Sequence, residues 1–363
     1  MSVLFLFLLA VVAAVLQWQS IKHCLDGLSC DLKLSRRVVE CGEPFQLIST
    51  VTNARRLPVL FLHLSERIPD ELRVDLERTG VKREDKMLPA GNQDASLEQT
   101  LYIMPRQKVT RTLTASLPAR GRYRFRGAVL TAGDLLGLKE RTASFSRYRE
   151  VVVLPPRADM ATLDSAFGNY LGDISVRRFI LSDPVLTVGY REYTGREPQR
   201  DISWPRSLRD GRLMVKQYDY TAELTVTVIL NVASGPPAVL ENAYSLARVV
   251  CERLEERRVS YGFVTNACLS SAAGFWSSMG DGLGSHHLNT IVEGLGAANY
   301  DCRFPLKRLL DRAARREETT RGYMLITPPL DGQGAALVRS FENETGQRVL
   351  ILSAEGADRE AAR

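Results

Sequence analysis

The sequence is poor in cysteine and histidine, and it lacks the short motifs of the common enzyme classes. Its six Cys and four His in 363 residues form no CxxC pair and no zinc-type spacing, which excludes a disulfide scaffold. No P-loop, GxSxG or HExxH motif is present. With 45% hydrophobic and 25% charged residues, the chain is neither disordered nor collagenous. These absences favour a folded, non-enzymatic protein without a cofactor.

A long apolar run occurs only at the start of the chain. Met1–Ile21 contains no charged side chain, and about 20 residues suffice to cross a bilayer as a helix. Basic residues follow this segment at Lys22, Lys33, Arg36 and Arg37. The positive-inside rule then predicts a single-pass protein of the cell membrane with its bulk in the cytoplasm. A cleaved signal peptide is the alternative for this segment.

Residues 22–157 show a β pattern. Apolar and polar residues alternate in Phe45–Asn53, and Gly, Pro and Asn separate several other short β-prone runs. Such spacing without long amphipathic helices predicts an immunoglobulin-like β-sandwich. The region shows no catalytic constellation, so we expect a spacer or docking role.

Residues 158–222 form a connector with a dense polar and aromatic run. Tyr and Trp can supply buried platforms, and Arg and Glu can lock loops through forked ion pairs. Two interpretations stay open: a self-satisfied structural network, or a partner-binding surface. The candidate residues are Arg191, Glu192, Tyr193, Glu197, Arg200, Ile202, Trp204, Ser207 and Arg209.

This run resembles the signature of the bacterial family called domain of unknown function 58. The family pattern of Arg-Glu-Tyr, Arg-x-Ile-x-Trp, Ser-x-Arg and Leu-x-Val is matched without a gap, ending at Leu213 and Val215. The stretches Arg120–Tyr123 and Gly133–Leu138 resemble the end of the family's sandwich domain. The family's Gly-Asp turn is replaced by Arg196 and Glu197. The resemblance implies association with a MoxR-type AAA ATPase in envelope-related chaperone or assembly work.

Residues 223–363 alternate between strand and helix patterns. Leu224–Val232 is a continuous β-branched run typical of buried parallel strands, and Leu240, Val250 and Leu254 lie at helical spacing. The pattern predicts an α/β domain with a mostly parallel sheet. The family resemblance implies that this domain is von Willebrand factor A-like.

Domains of that type often hold Mg²⁺ after the first strand through an Asp-x-Ser-x-Ser pattern, because Mg²⁺ prefers hard oxygen ligands. Here those positions are Asn231, Ala233 and Gly235. The carboxylate has become an amide and both hydroxyls are missing. We therefore expect a degenerate site that binds no metal.

Two functions are alternatives to that of a binding or scaffold protein. One is metal-dependent adhesion at the positions of the degenerate site. The other is a Cys-dependent enzyme that pairs Cys302 or Cys268 with His286 or His287, although no nucleophile signature surrounds them. The Gly-rich stretch Gly280–His287 is interpreted as a surface loop, so this second alternative is weak. No small-molecule substrate is expected.

The distribution of charge argues against a nucleic-acid partner. The formal net charge is +6, yet residues 22–157 hold 24 basic and 16 acidic side chains, whereas residues 223–363 hold 15 and 17. The excess of positive charge therefore belongs to the region next to the apolar segment, where an anionic membrane surface would attract it. We expect a membrane-anchored binding or scaffold protein.

Overall fold

The computed structural model describes most of the chain as two compact units, Met1–Pro156 and Arg157–Arg363. The described residues are 7, 25–76, 80–87, 93–133, 139–158, 167–172, 187–195, 197–218, 224–269, 277–315 and 321–355. The expected membrane segment at residues 1–21 lies outside them apart from Phe7. Residues 134–138, Arg196 and much of 158–186 also lie outside the described residues.

The described part of the first unit is built from strands. They are β1 (Leu28–Leu34), β2 (Val38–Val39), β3 (Phe45–Asn53), β4 (Val59–Ile68), β5 (Arg73–Val74), β6 (Lys82–Met87), β7 (Gln93–Ile103), β8 (Lys108–Ser116), β9 (Gly121–Phe125), β10 (Ala128–Gly133), β11 (Glu140–Phe145) and β12 (Arg149–Val153). They form sheets of order β1-β3-β8-β5, β11-β10-β4-β7-β6 and β2-β12-β9. The β2–β12 pair is parallel.

Alternating burial makes this unit a β-sandwich. Every second residue of β3 is buried, because successive side chains of a strand point to opposite faces. Leu47 and Leu113 from the first sheet share one buried cluster with Leu97 from the second. A buried ion pair between Glu66 of β4 and Arg111 of β8 also joins these two sheets.

The second unit combines strands and helices. Its strands are β13 (Thr187–Glu192), β14 (Met214–Tyr218), β15 (Thr225–Leu230), β16 (Ser260–Thr265), β17 (Ala267–Leu269), β18 (Ser278–Gly282), β19 (Ala298–Cys302), β20 (Arg321–Thr327) and β21 (Val349–Ser353). Its described α-helices of seven or more residues are α1 (Trp204–Asp210), α2 (Pro237–Glu256), α3 (Ser285–Ala297), α4 (Leu306–Ala314) and α5 (Gly332–Thr345). Gln199–Asp201 is a 3-10 helix.

The main sheet of this unit has the order β18-β16-β15-β20-β21. Strand β15 is central and all six of its residues are buried, which explains its continuous run of β-branched and apolar residues. Val228 packs in the cluster that includes residues of α2 and α3. Ile229 packs in the opposite cluster with residues of α4 and α5. Strand β18 is antiparallel to β16, whereas the other pairs are parallel.

The fold class expected from the sequence is wrong. The described regular structure is mostly strand, and its six sheets include two-stranded sheets beyond the sandwich and the mainly parallel sheet. Among the described residues, no helix combines the length and apolar character needed to cross a bilayer.

The unexpected strands are β13 and β14, the ribbon of β17 and β19, and the edge strand β18. They are three to six residues long, and so short a run shows little period-two alternation. The stretch Gly280–His287, which the sequence pattern suggested to be a surface loop, is not simply a loop. It contains the end of β18 and the first turn of α3.

Candidate functional site

The expected signature residues lie in a small substructure that we call the signature segment, residues 187–195 and 197–218. Strands β13 and β14 form an antiparallel pair in which Tyr190 lies opposite Lys216. The 3-10 helix and α1 connect the two strands. Gly211 ends α1 with a φ of 68°, a left-handed conformation that glycine adopts without steric cost.

Two of the expected residues hold α1 against β14. Ile202 is 8% exposed and forms an isolated bridge with Val215. The buried Ser207 hydroxyl donates to Ser203 O at 2.8 Å and accepts from Met214 N at 2.8 Å. Their role is structural, since both are enclosed and their hydrogen-bonding groups are occupied.

Ion pairs occupy three more of the expected residues. Arg191 Nη1 lies 2.7 Å from Glu197 Oε1, and Glu192 pairs with Arg212. Glu197 also accepts hydrogen bonds from Thr194 N at 3.0 Å and Thr194 Oγ1 at 2.7 Å. The Thr194 hydroxyl is the main reason why the pKa of Glu197 falls to about 2, and Arg191 contributes to the shift. These groups satisfy one another, which matches the structural interpretation for this part of the run.

The remaining expected residues differ in their surroundings. Tyr193 donates its backbone N–H to Leu213 O at 2.8 Å and so extends the strand pairing. Trp204 is 61% exposed. The Arg200 side chain is 85% exposed and lies 3.9 Å from Asp201, a distance at which a surface ion pair contributes little.

A shallow pocket of about 540 Å³ lies between α1 and the strand pair. We call it the Trp204 pocket. Trp204, Arg209, Tyr190 and Lys216 line it together with Pro205 and Arg206. Its mixture of aromatic and cationic side chains is the composition found at the energetic centres of protein interfaces.

The charges of the pocket are incompletely balanced. The Arg206 guanidinium lies 5.7 Å from the centroid of the Tyr190 ring, and its Nε lies 2.8 Å from Asp210 Oδ2. Within the described part of the chain, the side chains of Arg209 and Lys216 have no hydrogen-bond or ion-pair partner. Two cations therefore face a pocket with an exposed indole at its edge.

Four of the lining residues named above were not among the candidates from the sequence: Tyr190, Pro205, Arg206 and Lys216. Tyr190 and Lys216 are 26 positions apart and meet only because β13 pairs with β14. Arg206 would have been found from its position on the same short helix as Trp204 and Arg209.

Of the three positions of the expected degenerate metal site, Asn231 is buried in an amide network, whereas Ala233 and Gly235 are partly exposed. Asn231 Oδ1 accepts from Asn266 Nδ2 at 2.8 Å and from Ala233 N at 3.1 Å, while Asn231 Nδ2 donates to Thr327 Oγ1 at 3.0 Å. Asn266 Oδ1 accepts from Val232 N at 2.9 Å, and its Nδ2 also lies 3.1 Å from Phe304 O. The amide groups of both side chains are thus engaged within the protein.

Steric contacts also oppose a metal of the adhesion type here. A Cβ atom at Gly235 would lie 2.9 Å from Pro328 Cγ and 3.0 Å from Leu240 Cδ2, so a serine does not fit without movement. The residues present therefore do not suit Mg²⁺, which needs several hard oxygen ligands. Among the described residues there is no group of three or more His, Cys, Asp or Glu side chains able to hold a metal ion.

The contacts of Asp331, Cys302 and His287 are structural. Asp331 Oδ1 accepts from Gly334 N at 2.6 Å and caps α5. Burial raises the pKa of Cys302, which disfavours the thiolate required of a nucleophile. His287 Nε2 lies 2.8 Å from Tyr261 O. In the part of the chain that the structure describes, no hydrogen bond joins Cys268 or Cys302 to His286 or His287.

Comparison with known proteins yields only distant structural likeness. No protein-family model matches the chain, and no curated protein matches it. A cohesin module from a Clostridium perfringens family 33 glycoside hydrolase is similar at 12% identity and a TM-score of 0.25, covering 35% of this chain and 96% of that one.

Two other solved domains are similar to a comparable share of the chain. A type II cohesin domain from the cellulosome of Acetivibrio cellulolyticus has 8% identity and a TM-score of 0.23, covering 34% of this chain and 94% of that one. The CARDB domain of a Pyrococcus furiosus protein has 16% identity and a TM-score of 0.21, covering 35% and 87%. These scores are too low to indicate a shared function.

Proposed function

We propose that this protein is a binding protein that works at the cell membrane and holds an acidic segment of a partner protein in the Trp204 pocket. The observation that carries the proposal is the exposed Trp204 beside Arg209 and Lys216, two cations without partners among the described residues. Exposed aromatic groups next to Arg are typical anchors of protein interfaces, and the unbalanced positive charge favours an acidic partner.

The exposed apolar surface extends along α1. Leu208 is 85% exposed and lies one helical turn from Trp204, so both side chains lie on neighbouring parts of the helix surface. An acidic segment that also carries apolar residues would contact Trp204 and Leu208 with its apolar groups and Arg209 and Lys216 with its carboxylates.

A MoxR-type AAA ATPase is the partner that we propose, on the strength of the sequence resemblance to the domain of unknown function 58 family. The membrane location is supported by the apolar Met1–Ile21 and by the excess of basic residues in 22–157. The ATPase would supply the acidic segment, while this chain would supply a non-catalytic docking surface.

The test is a binding measurement between the full-length chain, purified in detergent, and a purified MoxR-type AAA ATPase from the same cells. We expect Trp204→Ala and Arg209→Gln each to weaken binding by about tenfold or more, since truncation of a hot-spot anchor costs about 2 kcal/mol or more and a tenfold change corresponds to about 1.4 kcal/mol. Binding should also weaken as ionic strength rises. Thermal unfolding should stay unchanged, because both side chains are exposed.

Matched controls separate the pocket from general surface effects. Tyr102→Ala removes an aromatic that is 70% exposed in the first unit, and Arg339→Gln removes an exposed cation on α5. Neither should affect binding. Equal affinity for all variants would show that the ATPase does not dock at the Trp204 pocket, and no binding to the unaltered chain would rule out this ATPase as the partner.

A further inference from the structure

A second cavity lies in the first unit and is unrelated to the signature segment. Its volume is about 670 Å³, within the range of small-molecule sites. Its polar lining comes from strands distant in the sequence and from the segments beside them: Lys33, Arg37, Arg124, Tyr148, Arg149 and Glu150. We call it the basic pocket.

Four cations and one carboxylate line the basic pocket, and that carboxylate is already engaged. Arg122 donates two hydrogen bonds to Glu150, Nε to Oε2 at 2.8 Å and Nη2 to Oε1 at 2.6 Å. These bonds are the main cause of the lowered pKa of Glu150, and the charges of Arg124 and Arg37 also contribute. Glu150 therefore stays ionised and is neutralised chiefly by a residue outside the lining.

The cations differ in how firmly they are held. Arg149 donates from Nε to Leu32 O at 3.0 Å, which orients its guanidinium, and its Nη2 lies 3.5 Å from Asp31 Oδ1. Among the described residues, Lys33 and Arg37 have no side-chain hydrogen bond or ion pair. The pocket thus combines an oriented guanidinium with two exposed cations, Lys33 and Arg37, whose side chains make no hydrogen bond or ion pair among the described residues and can contact an entering anion.

We propose that the basic pocket binds the phosphate group of a small organic phosphate or of an anionic phospholipid headgroup. Phosphate suits this lining because its several oxygens can accept from guanidinium forks and from an ammonium at once. The cavity is much larger than a phosphate ion alone, so it has room for the organic part of the ligand. Tyr148, which is 69% exposed, supplies an aromatic face and a hydroxyl at its edge.

The experiment uses the full-length chain in neutral detergent at fixed ionic strength and measures binding by titration calorimetry. Inorganic phosphate and glycerol 3-phosphate test the soluble source. Short-chain phosphatidic acid in mixed micelles tests the lipid source, with short-chain phosphatidylcholine as the zwitterionic comparison. Binding of the soluble phosphates assigns a small-molecule site, and binding of phosphatidic acid alone assigns a lipid headgroup site.

Charge variants locate the site. Lys33→Gln with Arg37→Gln should weaken binding of the phosphate-bearing probe by about tenfold or more, because a hydrogen bond to a charged group contributes at least one factor of ten. Lys82→Gln with Lys108→Gln removes the same charge from β6 and β8 and should leave affinity unchanged. The proposal is overturned if neither the soluble phosphates nor phosphatidic acid bind. It is also overturned if both double variants weaken binding equally, or if phosphatidylcholine binds as well as phosphatidic acid.

Discussion

The amide network of Asn231 and Asn266 and the Trp204 pocket are both polar, yet they differ in whether their side-chain polar groups have hydrogen-bond partners. Asn231 and Asn266 are 3% and 0% exposed and bond to each other and to the surrounding backbone. Arg209 and Lys216 line an open pocket and have no partners among the described residues. Engaged polar groups stabilise a fold, whereas exposed, unengaged ones are available to a ligand. This contrast is the reason why we propose the signature segment, and not the amide network, as the binding surface.

The strongest test of this contrast is Asn266→Ala. Removing this amide leaves the buried Val232 N–H without its acceptor and takes one of two donors from Asn231 Oδ1 and from Phe304 O. We therefore expect a loss of about 3 kcal/mol in the free energy of unfolding. Chemical denaturation of the full-length chain measures it. The control is Asn299→Ala, which removes a surface amide that pairs with Asp301 and should cost under about 1 kcal/mol. If Asn266→Ala left the free energy of unfolding unchanged, the network would not be structural.

Asn231→Asp tests whether the same network can become a metal site. The new carboxylate cannot donate to Thr327 and would be buried, so we expect a loss of about 2 kcal/mol and no stabilisation by millimolar Mg²⁺. Burial should raise the pKa of the new carboxyl group above its unfolded value. The folded state then binds more protons, and the destabilisation should grow as pH rises above the unfolded pKa. Tight Mg²⁺ binding by either protein would contradict our interpretation.

Glu197→Gln should have the smallest effect on stability of the three substitutions. It probes the part of the signature segment whose charged side chains pair with one another. The pKa of Glu197 is lowered to about 2 by the bonds from Thr194 and by Arg191. A lowered pKa means that the ionised carboxylate contributes stability above its unfolded pKa, near 4.3, and that this contribution is lost as pH falls toward 2. Hydrogen exchange at the Thr194 amide should become faster in the variant. The difference from the unaltered chain should shrink over that pH interval, and a constant difference would argue against the role of the charge.

Individual elements of the second unit were predictable where their periodicity is local. The spacing of Leu240, Val250 and Leu254 corresponds to α2, and the β-branched run after Leu224 corresponds to β15. The fold class was wrong because β13, β14, β17, β18 and β19 have weak patterns of their own. Short strands are stabilised mainly by their neighbours, so their own residues carry little of the signal.

The candidate site was predicted in part. Trp204 and Arg209 were singled out from the sequence, and they line the Trp204 pocket. Arg191, Glu192, Ile202 and Ser207 were grouped with them, although the structure engages all four in pairs and backbone bonds. Composition alone cannot separate these groups, because Arg and Glu serve equally well in structural ion pairs and in binding surfaces.

The sequence by itself determined the chemical inventory: an amide at Asn231 where a metal site needs a carboxylate, an apolar start, and a basic excess in residues 22–157. The tertiary structure alone decided which groups are engaged. In the folded chain Asn266 donates a hydrogen bond to Asn231, and Lys33 lines the same pocket as Arg149, 116 positions away along the chain. The physical reason is that hydrogen bonds and ion pairs depend on distance in space, which sheet pairing establishes between residues with no local pattern in common.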